Sequence, residues 1–410
     1  MERGPATSVN IAIGKLYLQN VNTLEPLLIS LAKQYPVLTM TGPRQSGKTT
    51  LCRRAFPLKA YVNLENPDTR RLATEDPRGF LAGIPDGAIL DEIQRAPQLA
   101  SYLQEVVDSE RRNGLFILTG SQQFEVMTRI SQSLAGRTAV LKLLPLSLDE
   151  MPHDLQNVSI DRLMLAGFYP RLHRESLEPA RFYGDYMETC IERDLRQLVS
   201  VKDLNLFERF VRLCAGRVGG LLNLHSLGSD AGVSHTTARA WITLLQAGYI
   251  VFLLEPHHAN VRKRLVKTPK LYFYDTGLAC SLLGLENENQ VARDPLRGGL
   301  FENLVVAEAL KHRLHRGQRS QLAFYRDNVG NEVDLLYGRG SDALPIEVKA
   351  GATVASDYFK GLLHYAKVFP KSRGAALVYA GKEEYIHHGV KIVTMHGLHK
   401  LLASQKTDID

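Results

Sequence analysis

From residue 36 onward, short apolar runs alternate with stretches whose apolar positions have helical spacing. Five runs are strand-like, and they cover residues 37–40, 60–64, 88–90, 115–118 and 139–143. Each run is almost continuously apolar, which is typical of strands that are buried on both faces of a parallel sheet. The pattern therefore predicts an α/β unit in which helices cover both sides of a parallel sheet.

After residue 146 the pattern becomes mostly helical up to residue 199. A compact block follows between residues 204 and 274, with two helices and then two strand-like runs. A helix and several further strand-like runs make up the rest of the chain, which predicts a second α/β unit at its end.

Composition narrows the class of protein. The chain has 410 residues, 44% of them hydrophobic, and carries a formal net charge of +7. That length suggests roughly two to four domains, and the small basic excess permits a nucleic-acid partner without requiring one. The four cysteines are far apart, so neither a zinc site nor a disulfide framework follows, and we expect buried thiols. No membrane-spanning run and no secretion signal are visible, so we expect a cytoplasmic protein with no membrane partner.

A phosphate-binding loop follows the first strand. Its sequence fits GxxxxGK[ST] at every fixed position, and a helical pattern begins at its lysine. Backbone amides of such a loop surround phosphate groups, the lysine contacts the β- and γ-phosphates, and the threonine holds Mg²⁺. We therefore expect ATP and Mg²⁺ as cofactors, bound by Gly42, Pro43, Arg44, Gln45, Ser46, Gly47, Lys48, Thr49 and Thr50.

Acidic and polar side chains end two further strands. Asp91 is expected to support Mg²⁺ together with Thr49, and Glu92 to orient or deprotonate the attacking water. Thr119 or Ser121 ends another strand and is placed to sense the γ-phosphate, although either residue can instead cap a helix. Arg137 precedes the fifth strand, where it either stabilises phosphoryl charge or forms a surface salt bridge; both interpretations stay open.

These motifs resemble those of the prokaryotic AAA+ ATPases that carry a C-terminal domain of unknown function. The same resemblance extends to Leu-Pro-Leu-Ser-Leu at residues 144–148 and to further stretches at 186–196 and 270–278. The resemblance covers nearly the whole chain. It implies an AAA+ core, Thr119 or Ser121 as a sensor, Arg137 as an arginine finger, and a homo-oligomeric ring, with a hexamer as one form, in which this arginine serves the neighbouring subunit.

The middle block has the order helix, glycine turn, helix, strand and strand, which predicts a winged helix. Such folds bind DNA but also serve as protein-docking modules. The loop between the strands is basic and has no acidic residue from 261 to 270. We expect DNA contacts from this loop and the second helix, through Arg239, Arg262, Lys263, Arg264, Lys267 and Lys270. A second basic stretch, residues 311–319, is also expected to face DNA.

The last unit contains an aspartate in an apolar strand, Asp334, followed by Glu347 and Lys349 on one face of the next strand. This arrangement is expected of a metal-dependent phosphodiesterase, with Asp334 and Glu347 as Mg²⁺ ligands, Lys349 positioning water, and Glu302 completing the cluster. It resembles the PD-(D/E)xK nuclease fold. The alternative is a nuclease-like domain that keeps these residues for structure or for holding DNA.

The sequence thus predicts an α/β P-loop AAA+ core with a parallel sheet, then a winged helix and a PD-(D/E)xK nuclease-like domain. The expected units are an N-terminal segment (1–22), the ATPase domain (23–145), a helical connector (146–200), the winged helix (201–278) and the nuclease-like domain (279–410). The function expected is ATP-driven remodelling or translocation of DNA with Mg²⁺-dependent cleavage, on branched DNA as one option. The alternative is an ATP-switched module that binds DNA or protein without cutting.

Overall fold

The computed structural model describes residues 22–121, 133–152, 158–191, 204–257, 266–338 and 342–405. The first unit is a five-stranded sheet in the order β2-β3-β4-β1-β5, and all its strands run parallel. The expected parallel sheet is therefore confirmed. Its strands are β1 (Val37–Thr41), β2 (Ala60–Asn63), β3 (Ala88–Asp91), β4 (Phe116–Gly120) and β5 (Thr138–Lys142).

Helices cover both faces of this sheet. Because side chains alternate along a strand, Ile117 packs into one apolar core while its neighbours Phe116 and Leu118 pack into the other. A strand that is apolar at nearly every position can pack against the helices on both faces of the sheet, which explains the apolar runs in the sequence. The helices are α1 (Glu25–Ala32), α2 (Lys48–Ala55), α3 (Pro67–Glu75), α4 (Pro77–Ala82) and α5 (Leu99–Glu110).

The middle of the chain is mainly helical. In the described residues, three α-helices form the connector, and three more precede a two-stranded antiparallel sheet. Ser234 caps α11 (His235–Ala247) by accepting a hydrogen bond from the Thr237 amide. These elements are α6 (Ile160–Ala166), α7 (Pro170–Arg174), α8 (Pro179–Tyr186), α9 (Leu204–Ala215), α10 (Leu224–Ala231), α11 (His235–Ala247), β6 (Val251–Leu254) and β7 (Lys270–Phe273).

The last unit is a mixed six-stranded sheet in the order β12-β13-β11-β10-β9-β8. The long helix α14 (Arg297–Leu314) packs on one face of this sheet and α15 (Lys360–Val368) on the other. Its elements are α12 (Thr276–Leu282), α13 (Glu288–Arg293), α14 (Arg297–Leu314), β8 (Leu322–Arg326), β9 (Glu332–Tyr337), β10 (Leu344–Lys349), α15 (Lys360–Val368), β11 (Ala375–Tyr379), β12 (Tyr385–His387), β13 (Val390–Thr394) and α16 (Leu398–Ala403).

One continuous apolar core joins the connector, the three-helix block and the last unit. It contains Leu148 from the segment after β5, Trp241 from α11 and Leu310 from α14. The cysteines Cys52, Cys214 and Cys280 are buried free thiols, as expected. Within the described ranges, no helix combines the length and the apolar character needed to cross a membrane.

Candidate functional site

The loop between β1 and α2 has the backbone shape of a phosphate-binding loop. Gly42 has φ +149°, and a Cβ on it would lie 2.0 Å from the Leu143 carbonyl oxygen, so only glycine fits. Gly47 has φ +96° and leads directly into α2. The Lys48 ammonium donates to the carbonyls of Gly42 and Pro43 at 3.0 and 2.7 Å. Burial lowers the pKa of Lys48 to about 8, and nearby carboxylates only partly oppose that effect.

Asp91 collects hydroxyl donors from three elements. The Thr49 hydroxyl donates to both carboxylate oxygens at 3.1 and 2.9 Å, and the Tyr61 hydroxyl donates at 2.7 Å. The Thr119 hydroxyl also donates to Asp91. This convergence follows from the strand order, because β3 lies between β2 and β4 and their carboxyl ends share one edge of the sheet. Thr49 and Asp91 thus lie together, as a shared Mg²⁺ site requires.

Glu92 begins the turn after β3 in a left-handed conformation, with φ +57°. Its carboxylate accepts hydrogen bonds from the side-chain amide of Gln94 and, at 3.2 Å, from the Ser121 hydroxyl. Ser121 therefore contacts the expected catalytic base, while Thr119 contacts Asp91. Gln94 belongs to no recognisable motif, so no signal in the sequence pointed to this contact.

A cavity of about 460 Å³ lies over the loop. The P-loop residues 44–50 and Glu92 line one side of it, and Pro170, Arg171 and Arg174 of α7 line another. The two arginines were also missed, since their position depends on how the connector packs against the first unit. Both of them pair with Glu175, at 3.0 and 2.8 Å. The cavity therefore brings cationic side chains from the connector close to the phosphate-binding loop.

Arg137 lies at the amino ends of the strands, whereas the phosphate-binding loop lies at their carboxyl ends. Arg137 directly precedes β5, and the first residue of β5 pairs with the first residue of β1. Because a five-residue strand spans about 16 Å, the length of β1 separates Arg137 from the loop. Its guanidinium contacts the Asp108 carboxylate at 2.6 and 2.8 Å. Arg137 therefore forms the salt bridge foreseen as one interpretation, and a role on a neighbouring subunit's nucleotide stays a prediction.

Buried polar side chains of α14 hold the segment that follows β5. Glu308 accepts from the Leu148 amide at 2.7 Å and from Lys311 at 2.8 Å, and Lys311 donates to the Leu146 carbonyl at 2.9 Å. Leu146 also lines the nucleotide cavity. This pair of charged residues thus ties the last unit to one wall of that cavity.

Glu150 lies in the same segment and also lines the cavity. It accepts from the amides of Thr23 and Ser147, each at 2.9 Å, and faces the His315 ring at 3.2 Å. Burial opposes its ionisation, yet the His315 ring and the two amide donors outweigh that effect and lower the pKa of Glu150 to about 2.

The second cluster combines α14 with strands β7, β9 and β10. Lys349 lies 2.5 Å from Glu347 and 3.7 Å from Asp334, and the Asp334 carboxylate accepts from the Val348 amide at 2.9 Å. The structure therefore brings together the Asp334, Glu347 and Lys349 of the expected nuclease centre. Glu302 reaches the same cluster from α14, where its nearest partners are Lys270 and Tyr272.

Burial and the neighbouring Asp334 carboxylate raise the pKa of both Glu302 and Glu347. One oxygen of Glu347 is buried and has no hydrogen-bond partner. However, no group of three or more His, Cys, Asp and Glu side chains in the described ranges has an arrangement that holds a metal ion. The ammonium groups of Lys270 and Lys349 lie among these carboxylates instead. In this arrangement the cluster does not fit a divalent metal.

The expected DNA-contacting residues have different surroundings. Arg239 and Lys267 are exposed, as a phosphate contact requires. Lys270 is only 3% exposed and its charge is used by three carboxylates, so the expectation that it contacts DNA is wrong for this conformation. In the second basic stretch, Lys311 and Arg313 are also buried, contrary to expectation. Arg262, Lys263 and Arg264 lie outside the described residues.

A family model described as an AAA domain matches residues 34–152 of the chain. Together with the parallel sheet and the phosphate-binding loop, it defines an AAA-type ATPase. Two models described as domains of unknown function match residues 157–289 and 297–398. The later two units are therefore known as domains, but their families carry no assigned function.

The uncharacterized protein Rv2008c of Mycobacterium tuberculosis is 32% identical over 356 residues, which are 85% of this chain and 78% of the relative. The uncharacterized protein Mb2031c of Mycobacterium bovis matches with the same values. The chain belongs to the family of these two proteins.

Among solved structures, the Walker-type ATPase PABY2304 of Pyrococcus abyssi is similar at 14% identity, with 63% of this chain and 94% of that chain covered and a TM-score of 0.43. A DNA replication initiation factor is similar at 14% identity, with 58% of this chain and 73% of that chain covered and a TM-score of 0.24.

Proposed function

We propose that this AAA-type ATPase uses ATP hydrolysis to bind and remodel DNA or to move along it. The observation that carries the hydrolysis part of the proposal is the meeting of Thr49, Asp91 and Glu92 at the carboxyl ends of the strands, beside a cavity lined by the phosphate-binding loop. A nucleotide-binding site needs the first two residues for its metal, whereas hydrolysis also needs a base.

Each residue has one role in this proposal. The backbone amides of residues 44–49 and the Lys48 ammonium would hold the phosphates. Thr49 and Asp91 would hold Mg²⁺, which would supply positive charge against the phosphates. Glu92 accepts the proton of the attacking water. Ser121 and Gln94 fix the Glu92 carboxylate through their hydrogen bonds, which supports their role as positioning residues.

The DNA part of the proposal rests on the three-helix block and its exposed cations. Arg239 on α11 and Lys267 before β7 are exposed and suited to phosphate contacts. The ring-shaped oligomer, in which Arg137 serves the neighbouring subunit, belongs to the same proposal. Arg137 lies at the sheet edge far from its own nucleotide site, which favours action between subunits.

Cleavage of DNA is the second candidate function. The assembled Asp334, Glu347 and Lys349 favour it, because these are the residue types of a PD-(D/E)xK centre on two adjacent strands. The buried Lys270 in the cluster favours the alternative, a domain that grips DNA without cutting. ATP-driven DNA remodelling is therefore the main function that we propose, and DNA cleavage is the second candidate.

One set of reactions tests both candidates. The protein is incubated with Mg²⁺ and with linear, forked or four-way DNA, with and without ATP, and both ATP hydrolysis and DNA products are measured. Glu92→Gln is expected to abolish hydrolysis while keeping ATP binding, whereas Glu105→Gln, an exposed carboxylate, is the matched control and keeps the full rate. Hydrolysis that survives in Glu92→Gln would show that another group is the base.

DNA cleavage is tested with Lys349→Ala, and the exposed Lys360→Ala is its control. If no substrate is cut in a Lys349-dependent way, the cleavage candidate is rejected. For DNA binding, Arg239→Ala and Lys267→Ala should each weaken affinity for every sequence and reduce the salt slope by about 1. Unchanged affinity and salt slope in both variants would argue against this surface.

A further inference from the structure

The ammonium group of Lys270 is enclosed by carboxylates. Its Nζ lies 2.7 Å from Glu302 Oε1, 2.5 Å from Glu332 Oε1 and 3.5 Å from Asp334 Oδ1. These acids come from two different elements, α14 and β9, while Lys270 comes from β7. A lysine that is 3% exposed is rarely found without such partners.

The backbone fixes the position of this lysine. Lys270 is the first residue of β7, where it is paired with Leu254 of β6 and bridged to Leu221. Tyr272, two residues further along, points to the same side of the strand and donates to Glu302 at 2.5 Å. The Phe324 ring lies 5.4 Å from the ammonium. The strand therefore presents a cation and a hydroxyl together to the carboxylates.

The cluster has more carboxylates than cationic side chains. Four carboxylates, Glu302, Glu332, Asp334 and Glu347, lie in or beside the cluster, and the cationic side chains that contact them are Lys270, Lys349 and Arg326. A primary ammonium and a divalent ion compete for the same carboxylate oxygens, since both need oxygen atoms within about 3 Å. Lys270 already takes one oxygen from each of Glu302 and Glu332 and approaches Asp334.

We propose that Lys270 is an internal cation that replaces a divalent metal ion in this cluster and keeps the cluster closed to metal while β7 is docked. Withdrawal of this one charge leaves the four carboxylates with only Lys349 and Arg326 as cations. The excess of negative charge then makes the cluster a site for a divalent cation of the Mg²⁺ or Mn²⁺ class. The two-stranded sheet β6–β7 thus decides whether the last unit can take up metal.

The test measures the binding of Mn²⁺ to the full chain, without ATP or DNA, by the loss of the electron paramagnetic resonance signal of free Mn²⁺. The wild-type protein and Asp334→Asn are expected to bind Mn²⁺ equally. Lys270→Met is expected to bind one Mn²⁺ more than the wild type does. Its affinity for Mn²⁺ at this cluster should be at least tenfold higher than that of the wild type. The double variant Lys270→Met/Asp334→Asn should lose that ion, and the exposed Lys367→Met should behave as wild type.

Two results would overturn the proposal. One is a Mn²⁺ ion on the wild-type protein that disappears in Asp334→Asn, which would mean that the cluster takes metal with Lys270 in place. The other is a folded Lys270→Met that binds no more Mn²⁺ than wild type. The first comparison needs no Lys270 variant, so the proposal stays testable even if Lys270→Met does not fold. Since the signal is metal binding, failure here is distinguishable from failure of ATP hydrolysis or DNA cleavage.

Discussion

The ion pair between Glu308 and Lys311 gives the sharpest prediction about how the last unit supports the nucleotide cavity. Lys311 is 1% exposed and Glu308 7%, so neither charge is solvated by bulk water. Each is instead compensated by the other at 2.8 Å and by a backbone group of the segment after β5. Exchange of Lys311 for methionine keeps the volume but leaves the Glu308 carboxylate buried without its cation.

The magnitude follows from that burial. Removing one partner of a buried pair costs about 3–5 kcal/mol, whereas replacing both partners by neutral side chains costs much less. We therefore expect Lys311→Met to lower the free energy of unfolding by about 4 kcal/mol. The double variant Glu308→Gln/Lys311→Met should lose only about 1–2 kcal/mol, because the glutamine still accepts from the Leu148 amide. The double-mutant cycle should then give a coupling energy of at least about 2 kcal/mol.

The assay is urea unfolding followed by tryptophan fluorescence. The chain has a single tryptophan, Trp241, which lies in the same apolar core as α14, so its emission reports on the core that the ion pair supports. ATP affinity is measured in parallel and should fall in Lys311→Met, since Leu146 lines the cavity. A coupling energy below about 0.5 kcal/mol would be that of a solvated surface pair and would refute this reasoning.

Three further predictions concern single residues. The lowered pKa of Glu150 contributes stability above pH 4.5 that is lost as the pH falls towards about 2. The wild type should therefore lose about 3 kcal/mol more than Glu150→Gln in urea unfolding across this range, and parallel curves for the two proteins would contradict the prediction. Tyr61→Phe removes a donor to Asp91 and should raise the Mg²⁺ concentration for half-maximal ATP hydrolysis about threefold to tenfold, while an unchanged Mg²⁺ dependence would argue against a positioning role. Gly42→Ala places a Cβ 2.0 Å from a backbone oxygen and should abolish binding of a fluorescent ATP analogue. The control variant Gly184→Ala adds a Cβ in open space and should bind the analogue normally, so equal affinities of the two variants would disprove the steric argument.

The nucleotide site could be predicted from the sequence because its chemistry is local. The fixed spacing of Gly42, Gly47, Lys48 and Thr49 sets the shape of one loop, and Asp91 directly ends an apolar strand. Apolar runs buried on both faces implied a parallel sheet, and the carboxyl ends of parallel strands meet at one edge. Their assembly therefore required little information from distant parts of the chain.

The surroundings of the lysines depended on long-range packing. In sequence, Lys270 and Lys311 belong to basic stretches and have the same appearance as exposed Lys267. Only the tertiary structure brings α14 and β9 against β7, and the segment after β5 against α14, so that these two ammonium groups are buried among carboxylates and carbonyls. The sequence alone sets how many cationic side chains there are and where they cluster along the chain. The packing determines which of them stay exposed and can contact another molecule, because a buried charge needs opposite charges or hydrogen bonds, which here come from residues far away in the sequence.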